Sequence, residues 1–333
     1  MNGTRDRRLP WLLAIAFLFV LLPSAAHPAE SAERRPVLLK PHDIIGFIGG
    51  ANMVGIQESG HFEARVLARF PDHGLRFRNL AWEGDTVFAQ PRDFNFPSLT
   101  NLLRRFDVTF LIVGFGQAEC LQSTQHLGGF LAAYDRLLTG LQRQVPRVAL
   151  ATLCPFEKPT GGYPDLSLRN PVARSYSQGI RELAARRGLP VVDLFQALEE
   201  RATVENAPRL TENGMHLTPR GQAVVAAVMA GEMGAAARGD ADPADVDGRG
   251  GWTGAMESLR RAVVAKNRLW FDYWRPMNWA FLNGDRTEQP SSRDHLNPGV
   301  RWFPAEMEKF VPLLYRAESD IDRLAASLHP SHP

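Results

Sequence analysis

Apolar and polar positions recur along this chain in two rhythms. DIIGFI, Asp43 to Ile48, is a short apolar run that reads as a strand, and Phe62, Val66, Leu67 and Phe70 then share one face of a helix. LRFRNL, Leu75 to Leu80, alternates with period two and suits an outer strand. A helix from Ser98 to Phe106 leads into VTFLIVGFG, a nearly continuous apolar run of the kind central parallel strands carry. Phe130, Tyr134, Leu137, Leu138 and Leu141 stay in register along a helix from Leu127 to Val145. RVALATLCP (Arg147 to Pro155) is a further buried strand, Val172 to Arg187 a helix, LPVVDLF a fifth strand, and Pro219 to Met233 a closing helix. Strands alternating with helices of this length predict an α/β three-layer sandwich, a five-stranded parallel sheet with helices on both faces. Ligands of such sheets bind at the carboxyl ends of the strands, beside the switch point. FIGGAN, NLAWEGD, GFGQAEC and TLCPFE all fall at those ends.

The flanks of this repeating unit differ in composition. Arg5, Arg7 and Arg8 precede the apolar run Trp11 to Leu22, and Ser24 and Ala26 suit the −3 and −1 sites of signal peptidase. Residues 1–26 therefore read as a cleaved secretory signal, and 27–40 as a polar leader. The apolar run is shorter than the roughly 20 residues a bilayer requires, so no stable membrane span is expected after cleavage, and the protein is expected to be exported, periplasmic or extracellular. The repeating unit occupies 41–237. Residues 238–251, RGDADPADVDGRGG, read as a solvated linker, since the aspartates lack the closing glutamate of a calcium loop. Residues 252–333 form a helical, aromatic-rich extension whose final helix is expected from Pro304 to Leu328. Trp270, Phe271, Tyr273, Trp274, Trp279 and Phe281 suit either a glycan-stacking platform or packing against the main domain, and packing is the simpler use.

The net charge of +2 disappears with the signal, which carries three arginines and one aspartate. A near-neutral chain lacks the basic face a nucleic-acid partner requires. There are two cysteines, Cys120 and Cys154, and no CxxC, CxxCH or HExxH, so no metal or cofactor is expected. Length and the 44% hydrophobic content allow a full core, and leave the oligomeric state open.

FIGGANMVG, Phe47 to Gly55, leaves a strand through glycines as a nucleophile-bearing or phosphate-cradling turn would, yet it holds no serine, threonine or cysteine and no Lys-Ser/Thr pair. Its order relative to the other turns resembles the SGNH/GDSL hydrolase superfamily. FIGGANMVG resembles the family's FLGDSxxxG, with Gly49 on its Gly, Gly50 on its Asp and Ala51 on its nucleophilic Ser. RNLAWEGDTV resembles the second block, with Gly84 on the oxyanion glycine, Asn79 on the upstream Asn, and Asp85 following. GFGQAEC is similar to FGxNES, placing Ala118 on the oxyanion asparagine and Glu119 after it. LTENGMHLTPRGQ resembles the last block, with His216 on the histidine and Asn213 on the triad aspartate. The resemblance spans residues 40–235 and implies an ancestral carbohydrate or acyl esterase.

That chemistry needs a serine to attack, a histidine to take its proton and a carboxylate to hold the imidazole tautomer. Each oxyanion donor is worth about 3–4 kcal/mol. Ala51, Ala118 and Asn213 depart from the pattern in three separate blocks. The expected protein is thus degenerate in serine catalysis and binds an acyl-ester or glycan ligand as an accessory. Two alternatives stand beside it. His216 with Glu119 or Asp85 could activate water, with Ser59 and Ser123 as the nearest spare hydroxyls. Or the C-terminal helices could recruit a partner. Glu119 also reads as a solvated loop carboxylate and Asp85 as a loop brace. In this fold Cys120 and Cys154 follow neighbouring strands, so they form either a disulfide, worth about 3–4 kcal/mol by chain entropy, or two separately buried thiols.

Overall fold

The computed structural model describes residues 37–202, 208–235 and 254–329. The expected signal segment, the leader up to residue 36 and the 238–251 linker lie outside these residues. Five strands, β1 (Ile44–Gly49), β2 (Arg76–Asn79), β3 (Phe110–Gly114), β4 (Arg147–Ala151) and β5 (Val191–Val192), pair in parallel in the order β2-β1-β3-β4-β5. Phe47 stands level with Asn79 on one side and Ile112 on the other, so the loops leaving β1, β2 and β3 emerge together. The order reverses between β1 and β3, which makes their carboxyl ends the switch point.

Helices α1 (Ala51–Ser59), α2 (His61–Arg69), α6 (Leu194–Ala202) and α7 (Pro219–Glu232) supply one apolar layer, and α3 (Leu99–Arg105), α4 (Leu127–Gln142) and α5 (Asn170–Arg187) the other. The three-layer architecture expected from the hydrophobic rhythm is present. Three details differ. The fifth strand stops after two residues, because the Asp193 carboxylate accepts the N–H of Gln196 and opens α6. Helix α1 begins directly at the glycine turn, and Gly60, at φ 68°, separates it from α2; a Cβ there would lie 2.8 Å from Val264. The expected last helix is two, α10 (Trp302–Glu308) and α11 (Phe310–Ser327), since Pro312 cannot sit a turn beyond Glu308 without its ring striking that carbonyl.

The extension, α8 (Gly254–Trp274), α9 (Trp279–Leu282), α10 and α11, runs along the open edge of the sheet. Its residues enter both layers, Leu259 and Val263 one and Trp270 and Trp274 the other. The carbonyls of Leu75, Phe77 and Asn79 alternate toward the free side of β2, and each is capped by a side chain. Arg76 Nη1 reaches Leu75 O at 2.8 Å, Arg78 Nη1 reaches Phe77 O at 2.9 Å, and Trp270 Nε1 reaches Asn79 O at 2.8 Å. Both arginines also pair with the α11 carboxylates, Arg78 with Glu318 at 2.6 Å and Arg76 with Asp322 at 2.8 Å. An edge strand left bare invites pairing with other chains, and this one is closed by its own chain. Of the two uses open to the aromatic series, Trp270, Trp274 and Trp279 take packing: all three are buried. Among the described residues no helix is long and apolar enough to cross a membrane.

Candidate functional site

A cleft of about 100 Å³ opens where β1, β3 and β4 end. It is lined by Gly50, Ala51 and Asn52 after β1, Glu83 and Asp85 after β2, Gln117 to Glu119 after β3, Thr152 to Cys154 after β4, and Met215 and His216 ahead of α7. The first and last blocks of the sequence pattern are thus two walls of one cavity. Asn52 Nδ2 lies 3.4 Å from Met215 O across it.

The glycine turn has a steric cause at one position. Gly49 has φ 149°, and a Cβ there would stand 2.2 Å from Gly114 O, so β1 leaves the sheet pressed against the end of β3. Gly50 has φ −84° and open space to 3.7 Å, so its backbone does not demand glycine. Ala51 then opens α1 and places a methyl group where the resemblance puts the serine hydroxyl. Ala118 likewise brings a methyl to the position of the oxyanion amide. Gly84 is at the exposed tip of the Trp82–Asp85 turn and does not line the cavity, whereas both its neighbours do.

Asn213 is wired to the backbone and the ring at once. Its Oδ1 accepts the N–H groups of Met215 at 3.1 Å and His216 at 2.9 Å, and its Nδ2 lies 2.9 Å from His216 Nδ1. The loop is held from behind by Glu157, a residue the sequence pattern did not single out. Its carboxylate accepts from Leu210 N and Thr211 N at 3.0 and 2.8 Å, and from the Thr211 hydroxyl at 2.6 Å. Gln117 is a second such residue, exchanging two hydrogen bonds with the Cys154 backbone at 3.1 and 3.0 Å.

The two carboxylates proposed to assist water are already engaged. Glu119 is buried, and its oxygens accept Val87 N at 2.9 Å and Gly116 N at 3.0 Å, so it is no solvated loop residue but a clamp between the second and third loops. Burial raises its pKa, and the N–H groups of Val87 and Gly116, with its own, pull it back. Asp85 forms a two-pronged pair with Arg92 at 2.6 and 2.7 Å, and the Arg92 guanidinium lies 4.4 Å over the Trp82 ring. Its carboxyl is also raised by burial, against Arg92 and Arg275.

Spare nucleophiles fare no better. Ser59 is at the far end of α1, donating to Ile56 O at 3.3 Å, and neither it nor Ser123 lines the cleft. Thr152 does line it, but its hydroxyl donates to Asp193 at 3.0 Å and accepts from Phe195 N at 2.9 Å. Cys154 lines it as a thiol whose pKa burial pushes up to about 12. Of the two states open to the cysteines, the structure has the separately buried thiols: Cys120 and Cys154 are both free and buried. Cys120 faces the α4–α5 layer and contacts Gln117 O at 3.4 Å, while Cys154 faces the layer of α1 and α7. Neighbouring strands brought the two backbones close, and opposite faces kept the sulfurs apart.

The sequence profile of the GDSL-like lipase/acylhydrolase family matches residues 49–224, from the glycine turn into α7. The chain belongs to this family. Among solved structures, the chain is similar to a GDSL-like lipase from Parabacteroides merdae, at 14% identity and TM-score 0.46, over 60% of this chain and 100% of that one. It is similar to LAE5, an α/β hydrolase enzyme from the metagenome of Lake Arreo, at 17% identity and TM-score 0.48, over 60% and 99%. It is also similar to BT4096, a gut microbial diltiazem-metabolizing enzyme, at 18% identity and TM-score 0.46. There it covers 59% of itself but spans only about half, 48%, of the other chain. No curated protein matches the chain.

Proposed function

We propose that this GDSL-family chain is an exported binding or accessory protein whose cleft receives an acyl-ester or glycan ligand without covalent catalysis. One observation carries the reading. The residue that opens α1 on the cleft shared with His216 is Ala51, and among the described residues no hydroxyl or thiol lining the cleft is free and acidic enough to replace a serine. Removing the nucleophile from a Ser-His-Asp site costs on the order of 10⁶ in rate. The oxyanion position at Ala118 is a methyl, and Asn213 brings no charge to the imidazole. Water activation by Glu119 or Asp85 is disfavoured by the same geometry, since the oxygens of both already accept hydrogen bonds inside the protein. The family membership supports an acyl ligand class, and the signal segment expected at 1–26 supports export.

The test is turnover by the purified mature chain on p-nitrophenyl acetate and acetylated xylan. The reading predicts no release above the protein-free rate, together with ligand-dependent stabilisation of the fold. Turnover that vanishes in His216→Ala would overturn it. Export is checked separately by sequencing the mature amino terminus, expected at His27.

A further inference from the structure

We infer that Asn213 fixes His216 as the Nε2–H tautomer, so that the family's proton acceptor has become a hydrogen-bond donor for an uncharged ligand carbonyl. The ligand half of this rests on the binding reading above; the tautomer half rests on geometry alone.

The orientation of the Asn213 amide is set by the chain. Its oxygen accepts two backbone N–H groups, Met215 at 3.1 Å and His216 at 2.9 Å. Turning the amide over would aim its own N–H bonds at those two donors. The nitrogen therefore faces the ring, 2.9 Å from Nδ1. An amide nitrogen can only donate, so Nδ1 must accept, and a neutral imidazole then carries its single proton on Nε2. In a Ser-His-carboxylate triad the carboxylate accepts from Nδ1–H and leaves Nε2 bare to receive the nucleophile's proton. An amide on the same turn keeps both backbone bonds and reverses the third. Among the described residues no protein group pairs with Nε2, and the ring lines the cleft with Ala51 and Ala118.

The charges around the cleft select what would accept from that N–H. Glu83, Asp85 and Glu119 line the cavity. Arg275 is bonded to Glu83 at 2.8 Å and Arg92 to Asp85 at 2.6 Å, while Glu119 is held by backbone N–H groups alone. An anionic ligand would enter beside three carboxylates whose two guanidinium partners are already engaged. An ester or amide carbonyl meets no such repulsion. At about 100 Å³ the cavity is several times the roughly 10–15 Å³ that admits one water, which suits a small acyl group on a larger, solvent-facing ligand.

The experiment uses the full mature chain with ¹⁵N-histidine and reads the His216 ring by long-range ¹H–¹⁵N correlation near pH 8.5, about two units above the ordinary imidazole value. Wild type should show protonated Nε2 and bare Nδ1. Asn213→Asp, which keeps an oxygen for the two backbone N–H groups, should switch the proton to Nδ1. Wild type found with Nδ1–H would overturn the inference, whatever binds. N-acetylglucosamine, acetylated xylo-oligosaccharide and sodium acetate are then titrated against the same signals. The amide or the ester should shift the ring where acetate does not, and which of the two does so identifies the acyl linkage. Asn213→Asp should weaken that binding about tenfold, the worth of one hydrogen bond. The expected tautomer with no response to either acyl probe would sustain the role of Asn213 and sink the binding reading. Response to acetate alone would overturn the selection of an uncharged ligand.

Discussion

Trp270 donates its indole N–H to the carbonyl of Asn79 at 2.8 Å, joining the end of helix α8 to the last residue of edge strand β2. Asn79 in turn holds the turn behind the cleft: its Nδ2 donates to Met53 O at 2.8 Å and its Oδ1 accepts Ala81 N at 2.9 Å. The extension thus supports the cleft from behind. Arg275, at 3.6 Å over Trp82 and bonded to Glu83, continues the same contact to the cleft rim. Trp270, Trp274 and Trp279 are spent inside the molecule, while Trp302 and Tyr315 of the same extension stay exposed. Replacing Trp270 with alanine empties a fully buried site and leaves Asn79 O uncapped, so stability should fall by about 3–5 kcal/mol. Urea denaturation checks this; a loss under 1 kcal/mol would mean the extension is only loosely applied.

Beneath that helix Lys266 Nζ meets Glu63 at 2.6 Å, with both side chains buried. Burial drives the glutamate up and the lysine down, and each partner opposes the shift in the other. Lys266→Met alone strands a buried carboxylate and should cost about 3–5 kcal/mol, whereas adding Glu63→Gln should recover much of it. A double-mutant cycle measures the coupling, and additive losses would refute it.

His61 supplies a pH dependence. It is buried, and desolvation, reinforced by Arg260 and Arg65, lowers its pKa to about 4 from 6.5. Above pH 6.5 both folded and unfolded chains carry it neutral. Between 6.5 and 4 the unfolded chain takes a proton that the folded chain refuses, so stability declines as pH falls, by up to about 3 kcal/mol across the window. In His61→Leu the decline over that interval should be shallower by about 1.4 kcal/mol per pH unit. An unchanged slope would remove His61 as its source.

Glu119→Gln separates a clamp from a catalyst. Glutamine has one acceptor oxygen for two backbone N–H groups and would turn its own N–H bonds toward the second. The variant should lose about 1–3 kcal/mol of stability. A water-activating role predicts the opposite pattern, hydrolysis lost with the thermal midpoint unchanged.

Much of this molecule is legible in its sequence, and the limits have physical causes. Strands β3 and β4 are buried on both faces and read as continuous apolar runs. Helix α1 buries five consecutive residues, Met53 to Gln57, and so shows no helical period to find. Ala51, Asn213 and His216 could be placed because the turns that hold them are local. The residues that wire the site could not: Glu157 acts on backbone N–H groups more than fifty residues away, at Leu210 and Thr211, and no side-chain pattern records that. The choice between a disulfide and two buried thiols stayed open for a related reason. Adjacency of two strands is visible in their order, but the face each sulfur takes depends on the loops that follow.

Intact mass after exposure to a fluorophosphonate, which forms a stable bond only with an activated serine-type nucleophile, tests the loss of covalent chemistry most directly. The native chain should emerge unmodified, while Ala51→Ser/Ala118→Asn/Asn213→Asp, which restores hydroxyl, oxyanion amide and charge on the same scaffold, should gain one phosphonyl group. A native chain that takes up the probe at a cleft residue would contradict the account.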